Sequence, residues 1–164
     1  MAEAEPIAIV GAGSVGLVLG ARLARAGRAV RFHVRGEPAA RALREQGVGV
    51  EDPSTGASWS ARVDARVGPP EGAEAPVFLC VRRPDLEALA GALVAASPAA
   101  LPVNVQNGVD GDAILARRFA RVLGAVWRLP CTRVAANRVR TLGAGRFVVG
   151  AHPAGAGLEA QAVA

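Results

Sequence analysis

The segment Gly11-Ala12-Gly13-Ser14-Val15-Gly16 constrains the fold more than any other part of this 164-residue sequence. It directly follows a short apolar run, Ile7-Ala8-Ile9-Val10, of the kind buried on both faces of a parallel sheet. It also opens a helix-compatible stretch from Ser14 to Ala26, which Gly27 is placed to end. Val30 to Val34 then reads as a second strand, so the opening is one βαβ unit. In such a unit the first glycine permits a tight turn, the second lets a phosphate approach the backbone, and the third lets the helix pack closely on the strand. The unpaired N–H groups at the helix start then face the anion. Gly11, Ala12, Gly13, Ser14, Val15 and Gly16 are therefore expected to bind the pyrophosphate of a dinucleotide.

The alternation continues. Glu37 to Gln46 predicts a second helix stopped by Gly47, and Val48 to Val50 with Trp59 to Val63 flank a Pro-Ser-Thr-Gly segment that reads as a hairpin. A Pro- and Gly-rich loop spans 68–76. Val77 to Val81 is a third apolar strand, and Pro84 begins a helical stretch to about Ala96 with Leu86, Leu89 and Leu93 on one face. Pro102 to Gln106 predicts another strand and Asp110 to Phe119 another helix, followed by three short strands near 122–126, 131–134 and 146–149. This order predicts an α/β, Rossmann-type doubly wound, mostly parallel sheet with helices on both faces, its ligand at the carboxyl ends of the strands. The length suits one domain, placed at residues 1–150.

Composition narrows the partners. All 19 basic residues are arginine, no lysine or tyrosine occurs, and the formal net charge is +5. The arginines are scattered and only 4% of residues are aromatic, which argues against a nucleic-acid surface. Arg22, Arg25 and Arg28, at three-residue spacing, are expected on the solvent face of the first helix. Ile7 to Ala21 is too short to span a membrane and lacks a basic leader, so no membrane partner is expected. Cys80 and Cys131 lie in apolar runs without CxxC spacing or a nearby His cluster, which predicts buried thiols, no metal and a reducing cytoplasm.

The second strand carries the cofactor preference. NAD-specific sites offer Asp or Glu at its end for the ribose hydroxyls, whereas this sequence has Arg31, His33 and Arg35 and no carboxylate. Arg35 stands near the expected spacing, so a ribose 2′-phosphate, and hence NADP(H), is its natural partner. Arg31 and His33 read as a solvated strand end.

The runs IAIVGAGSVGLVLGARLARAG, VRFHVRG, VFLCVRRPDLEAL, VNVQNGVD and RTLGAGRFVVG resemble, in order and spacing, the N-terminal domain of ketopantoate reductases (2-dehydropantoate 2-reductases). The Gln-Asn-Gly triplet at 106–108 is the most discriminating of these. The resemblance implies NADPH-dependent reduction of a 2-oxo acid to a 2-hydroxy acid, as in pantothenate and coenzyme A biosynthesis. By the same resemblance Arg35 matches the 2′-phosphate-binding arginine, and Asn107 the asparagine beside nicotinamide and substrate. Where the family commonly has a cofactor-site lysine, this sequence has Arg82, which keeps the charge but changes reach and geometry. The family's catalytic lysine lies in a helical C-terminal domain, toward which residues 151–164 are expected to lead as a tail and which these 164 residues do not contain. Three readings follow: the cofactor-binding half of such a reductase, a stand-alone NADP-binding or sensing module, or a different small reductase that completes its site as a homo-oligomer.

Overall fold

The computed structural model describes residues 5–73, 76–108 and 110–153. The expected tail at 151–164 lies outside the described residues from 154 onward. Within them, β1 (Ile7–Val10), α1 (Ser14–Arg25), β2 (Val30–Val34) and α2 (Glu37–Gln46) form the opening βαβα run. They are followed by β3 (Val48–Asp52), β4 (Ala57–Ala61), β5 (Asp64–Val67), β6 (Pro76–Leu79), a 3₁₀ turn (Arg83–Asp85) and α3 (Leu86–Ala96). The remainder is β7 (Leu101–Asn104), α4 (Gly111–Ala116), β8 (Val122–Arg128), β9 (Cys131–Ala135), β10 (Arg138–Thr141) and β11 (Arg146–His152).

Seven strands make the central sheet in the order β11-β8-β7-β6-β1-β2-β5, all parallel except β11, which runs antiparallel to β8. Alternation along β1 sorts the core into two halves. Ile9 joins Phe32, Phe78 and Val103 on the face covered by α1 and α2, through Leu17, Val18, Ala40 and Leu43. Ala8 and Val10 join Val77 and Leu79 on the face covered by α3 and α4, through Leu86, Leu93, Ile114 and Leu115. Helices therefore cover both faces of a mostly parallel sheet, as the sequence predicts.

A second sheet, β4-β3-β10-β9, forms a further layer. The expected hairpin is its β3–β4 arm, and Val48, Val50 and Val139 carry it into the same core as α1. Helix α1 thus lies between two sheets, which is why Gly16, Leu17, Val18, Leu19, Gly20 and Ala21 are all buried. Arg25 and Arg28 are exposed as expected and Arg22 is half-buried: Arg22 donates to the carbonyls of Gly143 and Ala144, and the Arg25 guanidinium sits 4.7 Å from the centre of the Trp59 ring.

Two strands were not expected. β5 extends the central sheet beside β2, and β10 pairs parallel with β3. Both are four residues long with charged residues interspersed, so neither shows the continuous apolar run that marks β1 or β6. The strand end read as solvated is packed instead: Arg31 Nε lies 2.5 Å from Asp64 Oδ2, and His33, 6% exposed, donates from Nδ1 to the Gly68 carbonyl at 3.1 Å. β5 supplies that cover. Burial is the main cause holding the His33 pKa below its ordinary value, with Arg31 and Arg66 adding to it against the Gly68 hydrogen bond and Asp64.

Candidate functional site

The turn between β1 and α1 is shaped by what its glycines meet. Gly11 adopts φ +103°, a left-handed conformation, and a Cβ there would stand 2.9 Å from the Cys80 carbonyl oxygen. At Gly16 a Cβ would come 2.1 Å from the Gly11 carbonyl oxygen and 3.1 Å from Cys80 Cβ, so this glycine seats the helix on the turn. Gly13 differs: a Cβ there would approach only the Cys80 carbonyl oxygen, at 3.7 Å. Its missing side chain leaves space in front of the helix rather than inside the packing. Gly13 is the helix N-cap and no side chain caps it, so the first-turn N–H groups point outward without an intrahelical acceptor. They form a cradle for an anion.

That cradle opens into a cleft of about 290 Å³ at the carboxyl ends of β1, β6 and β7. Gly13, Ser14 and Val15 form one wall, Cys80 to Arg83 a second, and Val105 to Asn107 the third. Among the expected site residues, the structure therefore brings Gly13, Ser14, Val15, Arg82 and Asn107 together. Gly11, Ala12 and Gly16 support the wall from behind. Arg35 stands outside the cleft lining, exposed just past β2, where its Nη1 lies 3.3 Å from Asp85 Oδ1 in the 3₁₀ turn after β6. Cys80 and Cys131 are half-buried rather than fully buried as expected, and desolvation pushes the Cys80 thiol pKa up to about 12, which keeps it protonated.

Three features of the site were not legible beforehand. Arg133, on β9, donates its backbone N–H to Ser14 Oγ at 3.0 Å and its Nη1 to the Ala12 carbonyl at 3.3 Å, so the small sheet lays a guanidinium over the glycine turn. Arg83 grips Asp110 with two hydrogen bonds, 3.0 and 2.6 Å, tying the loop after β6 to the loop before α4. The same contact from Arg83 lowers the Asp110 pKa and raises that of Arg83, so both stay charged. Gln106 donates from Nε2 to the Val81 carbonyl at 2.7 Å, while its Oε1 is buried without a hydrogen-bond partner. Gln106 also borders a second hollow of about 290 Å³ beside Asp112, Gly124 and β11. Among the described residues no group of three or more His, Cys, Asp or Glu could hold a metal ion, and no helix is long and apolar enough to cross a membrane.

A glycine turn feeding a helix N-terminus, in a cleft at the carboxyl ends of parallel strands, defines the dinucleotide-binding class of Rossmann domains. More particularly, the family model for ketopantoate reductase PanE/ApbA matches residues 7–154, and the chain belongs to that family of oxidoreductases. Among solved structures, it is similar to a PanE/ApbA family ketopantoate reductase from Ralstonia eutropha, with 31% identity and a TM-score of 0.78 over 88% of this chain and 49% of that one. It is similar to a 2-dehydropantoate 2-reductase from Geobacter metallireducens, with 25% identity and a TM-score of 0.74 over 89% of this chain and 49% of the other. A Bacillus subtilis protein described as a probable 2-dehydropantoate 2-reductase shares the fold, with 19% identity and a TM-score of 0.81 over 96% and 51% of the two chains. The chain spans about half the length of these solved relatives. Among curated proteins none matches the sequence.

Proposed function

We propose that this chain binds NADP(H) as the cofactor-holding half of a reductase that converts a 2-oxo acid of the ketopantoate kind to a 2-hydroxy acid. The observation that carries the reading is the open space at Gly13 in front of uncapped helical N–H groups, because a side chain is missing there although the packing does not require it. The donors around it fit the cofactor. The α1 N-terminus answers a pyrophosphate, Arg35 a ribose 2′-phosphate, and Arg82 adds positive charge to the cleft wall. Asn107, on the cleft wall, offers both a donor and an acceptor to the carboxamide of a nicotinamide. When bound, the nicotinamide supplies the hydride.

The residues of this chain bind and orient. Among the described residues no histidine, lysine or tyrosine lines the cleft, and its arginines, Arg82 and Arg83, hold their protons too tightly to give them up. The donor and the charge that stabilises the developing alkoxide are assigned to a lysine of the kind the family carries on its helical domain. The reading includes a small 2-oxo acid as substrate and a cytoplasmic setting, the latter supported by the unpaired thiols Cys80 and Cys131.

The test is a titration of the purified chain with NADPH and with NADH, followed by nicotinamide fluorescence. NADPH is expected to bind roughly tenfold more tightly, the equivalent of one charge-assisted contact of ~1.5 kcal/mol, and Arg35→Ala to remove that difference while leaving NADH binding in place. Equal affinities in the unaltered chain would overturn the assignment of Arg35.

A further inference from the structure

NAD-type sites bind the adenosine ribose through a carboxylate at the end of the second strand, and the sequence of β2 holds none. The folded chain nevertheless has one beside that position. Asp85, from the 3₁₀ turn after β6, brings Oδ1 to 3.3 Å from Nη1 of Arg35, which follows the carboxyl end of β2 in the same parallel sheet. β1 lies between β6 and β2 in the sheet, so the two loops flank the glycine turn. We propose that Asp85 is a second specificity-determining residue of the cofactor site, supplying from another loop the carboxylate that β2 lacks and so letting the chain accept NADH as well as NADPH. This rests on the NADP(H) reading above and deepens it.

The chemistry is a competition for one guanidinium. A 2′-phosphate binding to Arg35 competes with Asp85 for its Nη1, and the carboxylate remains close to a group carrying nearly two negative charges. A free ribose 2′-hydroxyl has the opposite relation, because it can donate to the same carboxylate. Arg35 favours NADPH, Asp85 favours NADH, and the pair together holds the discrimination to a modest ratio. The ion pair itself is exposed, with the Arg35 side chain 82% accessible, so it adds little to stability and is free to exchange partners.

Asp85→Asn tests the proposal on the full chain. Asparagine keeps the size of aspartate, and the Asp85 side chain makes no capping hydrogen bond at the start of α3, so the fold is expected to survive, checked by an unchanged thermal transition. Titrated against the variant, NADPH is expected to bind roughly three- to tenfold more tightly than to the unaltered chain, from removal of one like charge near the phosphate. NADH is expected to bind about threefold more weakly, from loss of a charged acceptor. An unchanged NADPH affinity, or a shift of both cofactors in the same direction, would overturn the role of Asp85 while leaving the cofactor reading intact. Failure of both dinucleotides to bind the unaltered chain would instead overturn the cofactor reading, and this inference with it, whereas failure of NADH alone would overturn this inference only.

Discussion

Gly13 and Gly16 differ by three positions in one motif, yet the structure assigns them opposite kinds of work, and alanine at each separates the two. At Gly16 the added methyl lands 2.1 Å from the Gly11 carbonyl oxygen, a backbone atom that cannot rotate away, so the start of α1 must lift off the turn. Such overpacking costs ~1–3 kcal/mol, against which an alanine in place of a helical glycine returns up to ~1 kcal/mol. The net loss is about 1–2 kcal/mol, and at ~2–4 °C per kcal/mol for a domain of this size the thermal midpoint falls by about 2–8 °C. At Gly13 the added methyl meets nothing closer than 3.7 Å, and the backbone at φ −79°, ψ −177° is open to any residue. Gly13→Ala should therefore stay within ~2 °C of the unaltered chain, losing only a few tenths of a kcal/mol at the N-cap. The methyl occupies the anion's space, however, so affinity for NADPH and NADH alike should fall at least tenfold, ~1.4 kcal/mol. Circular dichroism melts and fluorescence titrations measure the two quantities on the same samples. If Gly13→Ala lowers the melt as much as Gly16→Ala, or leaves dinucleotide affinity untouched, Gly13 belongs to the packing and the central argument for the site fails.

Two further outcomes are expected. Arg133→Gln removes the guanidinium over the turn and should weaken NADPH and NADH by the same factor, about three- to tenfold, with a shallower salt dependence; a loss confined to NADPH would mean that Arg133 reads the 2′-phosphate instead. His33 has its pKa lowered first by burial, so the unfolded chain takes up its proton at higher pH than the folded one. Its contribution is fully present above the unfolded value of ~6.5 and is lost as pH falls through the lower folded value. The urea midpoint should therefore drop between pH 7.5 and 5, a range above the carboxylates' ordinary titration, and drop less in His33→Asn; parallel curves would refute the assignment.

The parts of this fold that show in the sequence are those whose environment is uniform along the element. β1 and β6 are apolar, mostly buried and read as short apolar runs, β2 shows through Val30, Phe32 and Val34 despite Arg31 and His33, and Gly11 to Gly16 is a local backbone requirement written as glycine. β5 and β10 bury one face only. Ala65 and Val139 point inward while Arg66, Arg138 and Arg140 point out, and over four residues that alternation is too brief to distinguish from a polar loop. Among the residues around the cleft, Arg82 and Asn107 were accessible because each follows a legible strand. Asp85 and Arg133 were not, for a different reason: their place at the site is set by strand order. Arg133 lies 119 positions from Ser14, and only the pairing of β10 with both β3 and β9 carries it back over the turn.

The small sheet therefore does more than shield a helix. By covering the outer side of α1 it fixes the helix between two packed layers, and the close seats at Gly16 against the turn and Gly20 against Phe32 leave α1 little room to shift along its axis. The donors that would meet a pyrophosphate are the N-terminal N–H groups of that same helix, so their positions are set by core packing before any ligand arrives. Arg22 and Asp52 extend the coupling by holding the Leu142–Gly145 connection, Arg22 through carbonyls and Asp52 through the Gly143 N–H at 3.1 Å, and this connection joins the small sheet to β11 of the large one. A dinucleotide bound at the turn would touch the turn itself, α1 and, through Arg133, β9. It would thus bridge both sheets, and by mass action it would stabilise their association as well as the site.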